Sequence, residues 1–249
     1  MSIYSIIQRT PVAIAALGTL ALAVSAANAA ITYEANLVSP NNSGEIGWYD
    51  GTGNPNGGFT VDTENGIELG LRAKLRQSPN VINTPTDVYT VPAGLQVGSP
   101  THAAWNYEFS IDLAPLGVSS GLNLGDIAGF TTLTITDVTT GTTNTVNPLN
   151  YWADDSGFGP TVTTPESTGQ WGAQNSENPL FSDFPLDSMS YSFNPYAEHT
   201  YEFELNVANP AGGGLLASDT IFVNVPEPTS IAMLGIGALT LLRRSRRRA

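Results

Sequence analysis

The sequence of 249 residues contains no cysteine and only two histidines. The absence of cysteine excludes disulfides, thiolate zinc sites and cysteine nucleophiles. The two imidazoles, those of His102 and His199, each lie beside a predicted strand, where a structural histidine is the usual outcome. A Gly-x-Ser-x-Gly sequence, which would indicate a serine nucleophile, is also missing. Residues for a recognisable catalytic centre are therefore scarce, and we expect no enzymatic activity.

Basic residues are scarce in the middle of the chain. Of nine lysines and arginines, Arg9 and five others lie near the two ends, which leaves Arg72, Lys74 and Arg76 within residues 30–225. Against 21 acidic residues in that region, these three basic residues give a net charge of −18. Such a charge excludes nucleic acid as a partner, favours solubility and attracts divalent cations.

The sequence also lacks long stretches with helical periodicity. Glycine, proline, asparagine and threonine interrupt the chain throughout, and apolar residues alternate with polar ones instead. Alternation with a period of two predicts half-buried strands, with one face in a core and one in water. The clearest strands are predicted at 31–37, 67–76, 105–113 and 201–207, weaker ones at 87–91, 130–138, 189–193 and 220–225, and a hairpin near Gly141.

Eight or nine strands of this kind predict an all-β fold. We expect a single two-sheet antiparallel β-sandwich, jelly-roll-like, over residues 30–225, with long loops at 117–129 and 147–178. Trp105 belongs to the alternation that faces the core. The three central basic residues share one face of the strand at 67–76, which we predict to be exposed and to pair with acids on neighbouring strands.

Residues 1–29 contain the three parts of a secretory signal peptide. Arg9 provides a positive charge, a fourteen-residue apolar run follows, and Ala27 and Ala29 are small residues suited to cleavage before Ala30. We therefore predict an N-terminal signal helix that is removed on export. An uncleaved N-terminal helix is the alternative.

The C-terminal residues 226–249 combine three features in order. The sorting motif consists of Val225, Pro226, Glu227 and Pro228. Its prolines lack amide donors and bias their neighbours away from helix, so we expect the Pro-Glu-Pro stretch to be extended and exposed. The apolar run 229–242 would extend about 21 Å as a short transmembrane helix, less than a hydrocarbon core of about 30 Å. The basic tail consists of Arg243, Arg244, Arg246, Arg247 and Arg248. Because excess cations stay on the cytoplasmic side, the body must lie across the membrane.

This three-part end resembles the PEP-CTERM sorting signal of Gram-negative, biofilm-forming bacteria. The resemblance implies that an exosortase-type membrane protease or transpeptidase recognises the signal and cuts near its Pro-Glu-Pro sequence. It also implies a transient anchor in the inner membrane, followed by an extracellular or cell-surface location, often in association with exopolysaccharide. An ordinary single-span tail anchor is the alternative interpretation of the same residues.

One pair of loop acids is a candidate metal site. Asp154 and Asp155 are adjacent like charges in a glycine-containing loop, where a bound cation would relieve their repulsion. We therefore name them as candidate calcium ligands and expect no other cofactor. Two solvated acids without a metal are the alternative.

Several aromatic residues lie outside the predicted strands, in segments rich in glycine, asparagine and aspartate. They are Trp48, Tyr49, Trp152 and Trp171. Flat rings flanked by amides and carboxylates suit stacking on sugars, whereas the alternative is that they close the ends of the sandwich. The chain is accordingly predicted to be an exported structural or matrix protein, with a carbohydrate-binding module, and then a secreted hydrolase, as the alternatives.

Overall fold

The computed structural model describes residues 31–38, 47–48, 54–150, 156–159, 167–181 and 193–227. The predicted signal segment 1–29 lies outside these residues, as does the tail from Pro228 onward. Every structural statement below concerns the described residues.

The described residues form eleven strands and one short α-helix. The strands are β1 (Thr32–Ala35), β2 (Phe59–Glu64), β3 (Ile67–Leu75), β4 (Val88–Thr90), β5 (Trp105–Asp112), β6 (Thr131–Asp137), β7 (Thr142–Val146), β8 (Ser156–Phe158), β9 (Gly172–Glu177), β10 (His199–Ala208) and β11 (Leu215–Val225). The helix α1 spans Leu124–Ile127, and single 3-10 turns occur at Pro115–Gly117 and Pro148–Asn150. The prediction of an all-β body is confirmed at this level.

The strands form two sheets. The first sheet has the order β1-β2-β3-β5-β9-β8 and the second has the order β4-β11-β10-β6-β7. All neighbouring strands are antiparallel except β4 and β11, which are parallel, so the prediction of a wholly antiparallel sandwich is wrong for this pair. The connection from β3 to β4 crosses from the first sheet to the second and is not a hairpin, so no tight turn forces β4 to be antiparallel to its neighbour.

The connectivity also departs from a jelly roll. A jelly roll sends most successive strands to opposite sheets. Here β1, β2 and β3 follow one another within the first sheet, and the hairpins β6–β7 and β10–β11 lie side by side within the second. Local hairpin formation therefore dominates the topology.

One hydrophobic core joins the two sheets. Its aromatic centre is Trp105, 1% exposed, with Tyr107, Tyr201 and Phe203 packed around it. The ring centroids of Tyr107 and Phe203, which come from opposite sheets, lie 4.8 Å apart. The prediction that Trp105 faces the core is confirmed.

Most predicted strands are present, with some changes of extent. The segments 67–76, 105–113, 87–91 and 130–138 contain β3, β5, β4 and β6, and the segment 201–207 lies within β10. The hairpin β6–β7 turns at Gly141 with φ of 76°. The strand predicted at 220–225 begins earlier, at Leu215, while most of the one predicted at 189–193 lies outside the described residues.

Some predictions of strand and loop are wrong. Ile31, just before β1, and Tyr33 within it belong to the side of the alternation predicted to face the core, yet they are 53% and 39% exposed, because β1 is an irregular edge strand. The predicted loop 147–178 contains β8 and β9, and the predicted loop 117–129 contains α1. The helix begins with a capping box between Asn123 and Asp126, which compensates for its shortness.

Candidate functional site

The C-terminal end of β11 is where the folded body meets the sorting motif. Val225 is 2% exposed and is paired with His199 at the start of β10. On the other side of β11, the amide of Val91 donates to the carbonyl of Asn224 over 3.0 Å. Pro226 is the next residue and is exposed. The motif therefore begins with no linker between it and a strand held on both sides.

His199 stabilises the same end of the sandwich. Its Nδ1 lies 2.7 Å from Oδ2 of Asp137, which also accepts a hydrogen bond from the Thr140 hydroxyl over 2.8 Å. Burial acts to raise the pKa of Asp137, but the hydrogen bonds from Thr140 and His199 outweigh it and lower that pKa. The His199 ring also stacks on Tyr201 at 5.7 Å between centroids. These contacts hold the turn of the β6–β7 hairpin against β10.

His102 lies in the loop before β5 and contacts hydroxyl groups. Its Nδ1 is hydrogen-bonded with Ser99 and, over 3.2 Å, with Thr101. The ring lies edge-on to Phe181 at 5.4 Å between centroids. Burial, with a smaller contribution from the positive charge of Arg76, lowers the pKa of His102. Neither histidine is thus placed in a Ser-His-Asp arrangement in the described part of the chain.

The outer face of β3 and β5 is polar and buried, which corrects the prediction of an exposed basic face. We call it the polar face; it carries Glu68, Arg72 and Lys74 on β3 with Glu108 and Asp112 on β5. The side chain of Arg72 is fully buried and Lys74 is 4% exposed.

The polar face is buried because the described residues before β2, at 36–38, 47–48 and 54–58, lie over the first sheet; we call them the covering chain. A side-chain carbon added at Gly70 would meet a methyl group of Leu37 at 2.5 Å, so Leu37 packs directly on β3. Trp48 joins Leu37, Phe59 and Val61 in a second hydrophobic cluster on this side of the sheet. The period of two is preserved, but the alternate positions face this covering chain and not water.

An ion pair forms the centre of the polar face. Arg72 and Glu108 are cross-strand partners, and their buried side chains make a salt bridge and a hydrogen bond. The guanidinium also donates to the carbonyl of Pro55 over 3.0 Å and lies 4.0 Å from the Phe59 ring centroid. Burial lowers the pKa of Arg72, and Glu108 opposes that change. The predicted pairing across the sheet is confirmed for Arg72.

The other two central basic residues have neutral partners. Lys74 donates to Oδ1 of Asn54 over 2.7 Å, and burial lowers the pKa of Lys74. Arg76 donates to Oε1 of Gln96 over 2.8 Å, and its guanidinium lies 5.1 Å from the Phe181 ring centroid. The polar face is thus not a free basic surface.

Two carboxyl groups lie at the far end of the polar face. Glu68 and Asp112 are cross-strand partners, 4% and 1% exposed. Burial, with a smaller contribution from Asp112, raises the pKa of Glu68 to about 8, although the amide of Val38 donates to Oε1 of Glu68 over 3.1 Å. Burial likewise raises the pKa of Asp112 to about 7, against a hydrogen bond from the amide of Ala114. Paired carboxyls with such pKa values can exchange protons near neutrality, but these two lie beneath the covering chain.

The structure places two of the four candidate sugar-stacking aromatics. Trp48 is 5% exposed, with Phe59 at 5.3 Å between ring centroids and the Arg72 guanidinium at 5.2 Å from its own ring centroid. Its ring has no free face for a sugar, so the prediction for Trp48 is wrong. Trp171 is half-buried, and its ring packs so closely on Gly159 that an added side-chain carbon there would meet it at 2.4 Å.

The remaining candidate site residues lie outside the described residues. They are Tyr49, Trp152, Asp154, Asp155, Pro228, the signal-cleavage residues Ala27, Ala29 and Ala30, and the five C-terminal arginines. Within the described residues, no group of three or more histidine, aspartate or glutamate side chains is arranged to hold a metal ion. No helix in the same part of the chain is long and apolar enough to cross a bilayer.

The fold and the junction define a two-sheet β protein whose last strand continues directly into a C-terminal sorting segment. Residues 224–248 match the PEP-CTERM protein-sorting motif, so the chain is a PEP-CTERM domain-containing protein. The motif implies an exported protein that is anchored in a membrane and sorted by an exosortase-type membrane enzyme. No curated protein and no solved structure matches the chain.

Proposed function

We propose that this protein is a non-catalytic structural component of the extracellular matrix or cell surface, associated with exopolysaccharide or biofilm. In this proposal it is exported by the signal segment at 1–29, is held in the inner membrane by the apolar run at 229–242, and is separated from that run at the Pro-Glu-Pro motif. The observation that carries the proposal is the junction: the exposed Pro226 and Glu227 follow directly after Val225, which is buried at the end of β11.

The order of features at the junction suits removal of the tail. Val223 and Val225 are buried and paired with β10, whereas Pro226 and Glu227 are exposed. A protease binds an extended chain, so it would have to pull β11 out of its sheet to cut before Pro226. Cleavage from Pro226 onward leaves all eleven strands in the mature product.

A non-catalytic role is supported by the fate of the ionisable groups. His199 is engaged with Asp137, and His102 with hydroxyl groups. Glu68 and Asp112, whose pKa values would suit proton transfer, lie under the covering chain where a substrate has no access. Within the described part of the chain, these groups are engaged or covered and are not presented in an open cleft.

Replacement of Glu227 tests the sorting role. We expect Glu227→Ala to remain in the inner membrane as the uncut form, because the enzyme would lose the one charged residue of its motif. Glu202→Ala, on the outward side of β10, is the matched control and should be released like the wild type. Fractionation with immunoblotting distinguishes the forms, and normal release of Glu227→Ala would refute the role of the motif.

Carbohydrate binding is the second candidate, and Trp171 is the described residue that favours it. Its ring is half-buried, and it directly follows a turn at 168–170 that contains Gly169. Glycan-array binding of the mature protein, compared with Trp171→Ala and Trp152→Ala, tests this role. Binding that both variants lose would favour the second candidate over the structural one.

A further inference from the structure

Two buried aspartates face each other between the sheets, away from the sorting junction. Asp62 lies on β2 of the first sheet and Asp219 on β11 of the second, and each is 1% exposed. The carboxylate of Asp62 accepts a hydrogen bond from the amide of Ser218, the residue before Asp219. The two acids are therefore neighbours across the interface between the sheets.

Each carboxylate has one oxygen that the fold does not satisfy. Oδ1 of Asp219 accepts from the amide of Thr220 over 2.9 Å. In the described part of the chain, however, Oδ2 of Asp219 and Oδ1 of Asp62 have no partner within hydrogen-bonding geometry, although the amide of Leu71 acts to lower the pKa of Asp219 against the larger effect of burial. A buried carboxylate oxygen without a partner is costly, and such groups are normally paired or bound to a metal.

The surroundings of the pair supply negative charge. Glu64 adds unfavourable charge to Asp62, and Asp87 adds it to Asp219. The salt bridges among the described residues are Arg72–Glu108 and His199–Asp137, so neither Asp62 nor Asp219 has a cationic side chain as partner there. Something other than a basic residue must compensate the pair.

Hydrogen bonds between residues close in sequence to the pair join the two sheets. The Tyr89 hydroxyl lies 3.2 Å from Oγ1 of Thr60 on β2 and donates to the carbonyl of Gly58 over 2.8 Å. Asn65, just after β2, donates to the carbonyl of Leu216 on β11 over 2.7 Å. The negative charge of Asp219 contributes to raising the pKa of Tyr89 to about 12, after the larger effect of burial.

We propose that Asp62 and Asp219 bind a divalent cation, specifically calcium, between the two sheets. Hard cations prefer carboxylate and carbonyl oxygens, and one ion would satisfy both free oxygens and link the sheets. No third acidic or histidine side chain among the described residues completes the set, so carbonyl oxygens and water would supply the other ligands. The proposal does not depend on the sorting function, since it concerns the body alone.

Calcium binding to the mature exported protein tests the proposal. After treatment with EDTA, we expect added calcium to raise the melting temperature and terbium to give sensitised luminescence. Asp62→Asn and Asp219→Asn should each weaken calcium binding roughly tenfold or more, because affinity follows the number of charged ligands. Glu202→Gln, which removes an equal charge elsewhere, is the control and should bind like the wild type.

Three outcomes would overturn the proposal. If calcium changes neither the melting temperature nor the luminescence, and both asparagine variants exceed the wild type in stability at pH 8, the aspartates share a proton. If calcium binds equally to all variants but not to Asp154→Asn, the site lies in that loop. If calcium stabilises the wild type and both asparagine variants by the same amount, the pair does not hold the ion.

Discussion

The folded body should require the end of β11 for its stability, whereas removal of all residues after Glu227 should leave that stability unchanged. The perturbation is a pair of shortened chains, one ending after Glu227 and the other after Ile221. The second chain loses the buried Val223 and Val225, the carbonyl that accepts from Val91, and the amide of Phe222 that donates to Asp87 over 2.8 Å.

The magnitude follows from these contacts. Burying two valine side chains contributes about 4 kcal/mol, and two backbone hydrogen bonds add about 1 kcal/mol each. The loss of about 6 kcal/mol is comparable with the whole free energy of unfolding of a typical domain, about 5–15 kcal/mol. The same free energy lowers the population in which the end of β11 has detached from its sheet by about four powers of ten. A protease that needs an extended chain would therefore rarely find β11 open for cleavage.

Denaturant unfolding and limited proteolysis measure both chains. The chain ending after Glu227 should unfold at the denaturant concentration of the mature protein and resist the protease. The chain ending after Ile221 should be unfolded or rapidly digested. Equal stability of the two chains would refute the reasoning, because it would show that the motif is not joined to a locked strand.

Three further predictions concern the buried charges and the sorting motif. Because Glu68 and Asp112 have folded-state pKa values of about 8 and about 7, above their ordinary values of 4.5 and 3.8, their contribution to stability is complete below about pH 4. This contribution is lost as the pH rises towards 8, and the free energy of unfolding falls by on the order of 4 kcal/mol for each group. Asp112→Asn should flatten this decline in pH-dependent denaturation, and an unchanged slope would contradict it. Arg72→Met should lower the free energy of unfolding by about 3–5 kcal/mol, because it leaves Glu108 buried without its cation. The double variant, Arg72→Met with Glu108→Gln, should recover most of that stability. A cost below about 1 kcal/mol for the single change would show that the pair contributes nothing. The third prediction is that Glu227→Ala stays in the inner membrane as the uncut form, which fractionation with immunoblotting would detect.

Alternation predicted the strands whose inward side chains are large and apolar. The strand β10 follows it closely, with Tyr201, Phe203, Leu205 and Val207 buried and the residues between them half-exposed. The same signal is absent from β9, because Gly172–Glu177 consists of small and polar residues that are buried within the first sheet. A strand covered on both faces has no solvent side to impose alternation.

The polar face shows why alternation does not by itself identify the solvent side. Charged residues at alternate positions of β3 and β5 predict contact with water, yet β5 is buried throughout. The difference arises from the chain before β2, whose Leu37 and Trp48 cover the sheet through contacts distant in sequence. The buried partners of Arg72 could not be inferred from local pattern, although the charge of Glu108 on a neighbouring strand made pairing a reasonable expectation.

The candidate functional residues likewise include some that the sequence could predict and some that it could not. The sorting motif was predictable from sequence because it is a short, continuous segment. Its recognition depends on the order of its residues and not on contacts made by the fold. The pair formed by Asp62 and Asp219 was not, because the two residues are far apart in the chain and meet only when the sheets pack. The burial of Trp48 was likewise hidden, since a tryptophan beside glycine and tyrosine has the same local sequence whether it is open or covered.

The intact mass of the protein recovered from the cell surface or the medium tests the central claim most directly. The account predicts a chain that begins at Ala30 and ends at or after Pro226, without the apolar run or the arginines. A surface form that retains both hydrophobic ends, or one whose C-terminus lies within β11, would contradict it.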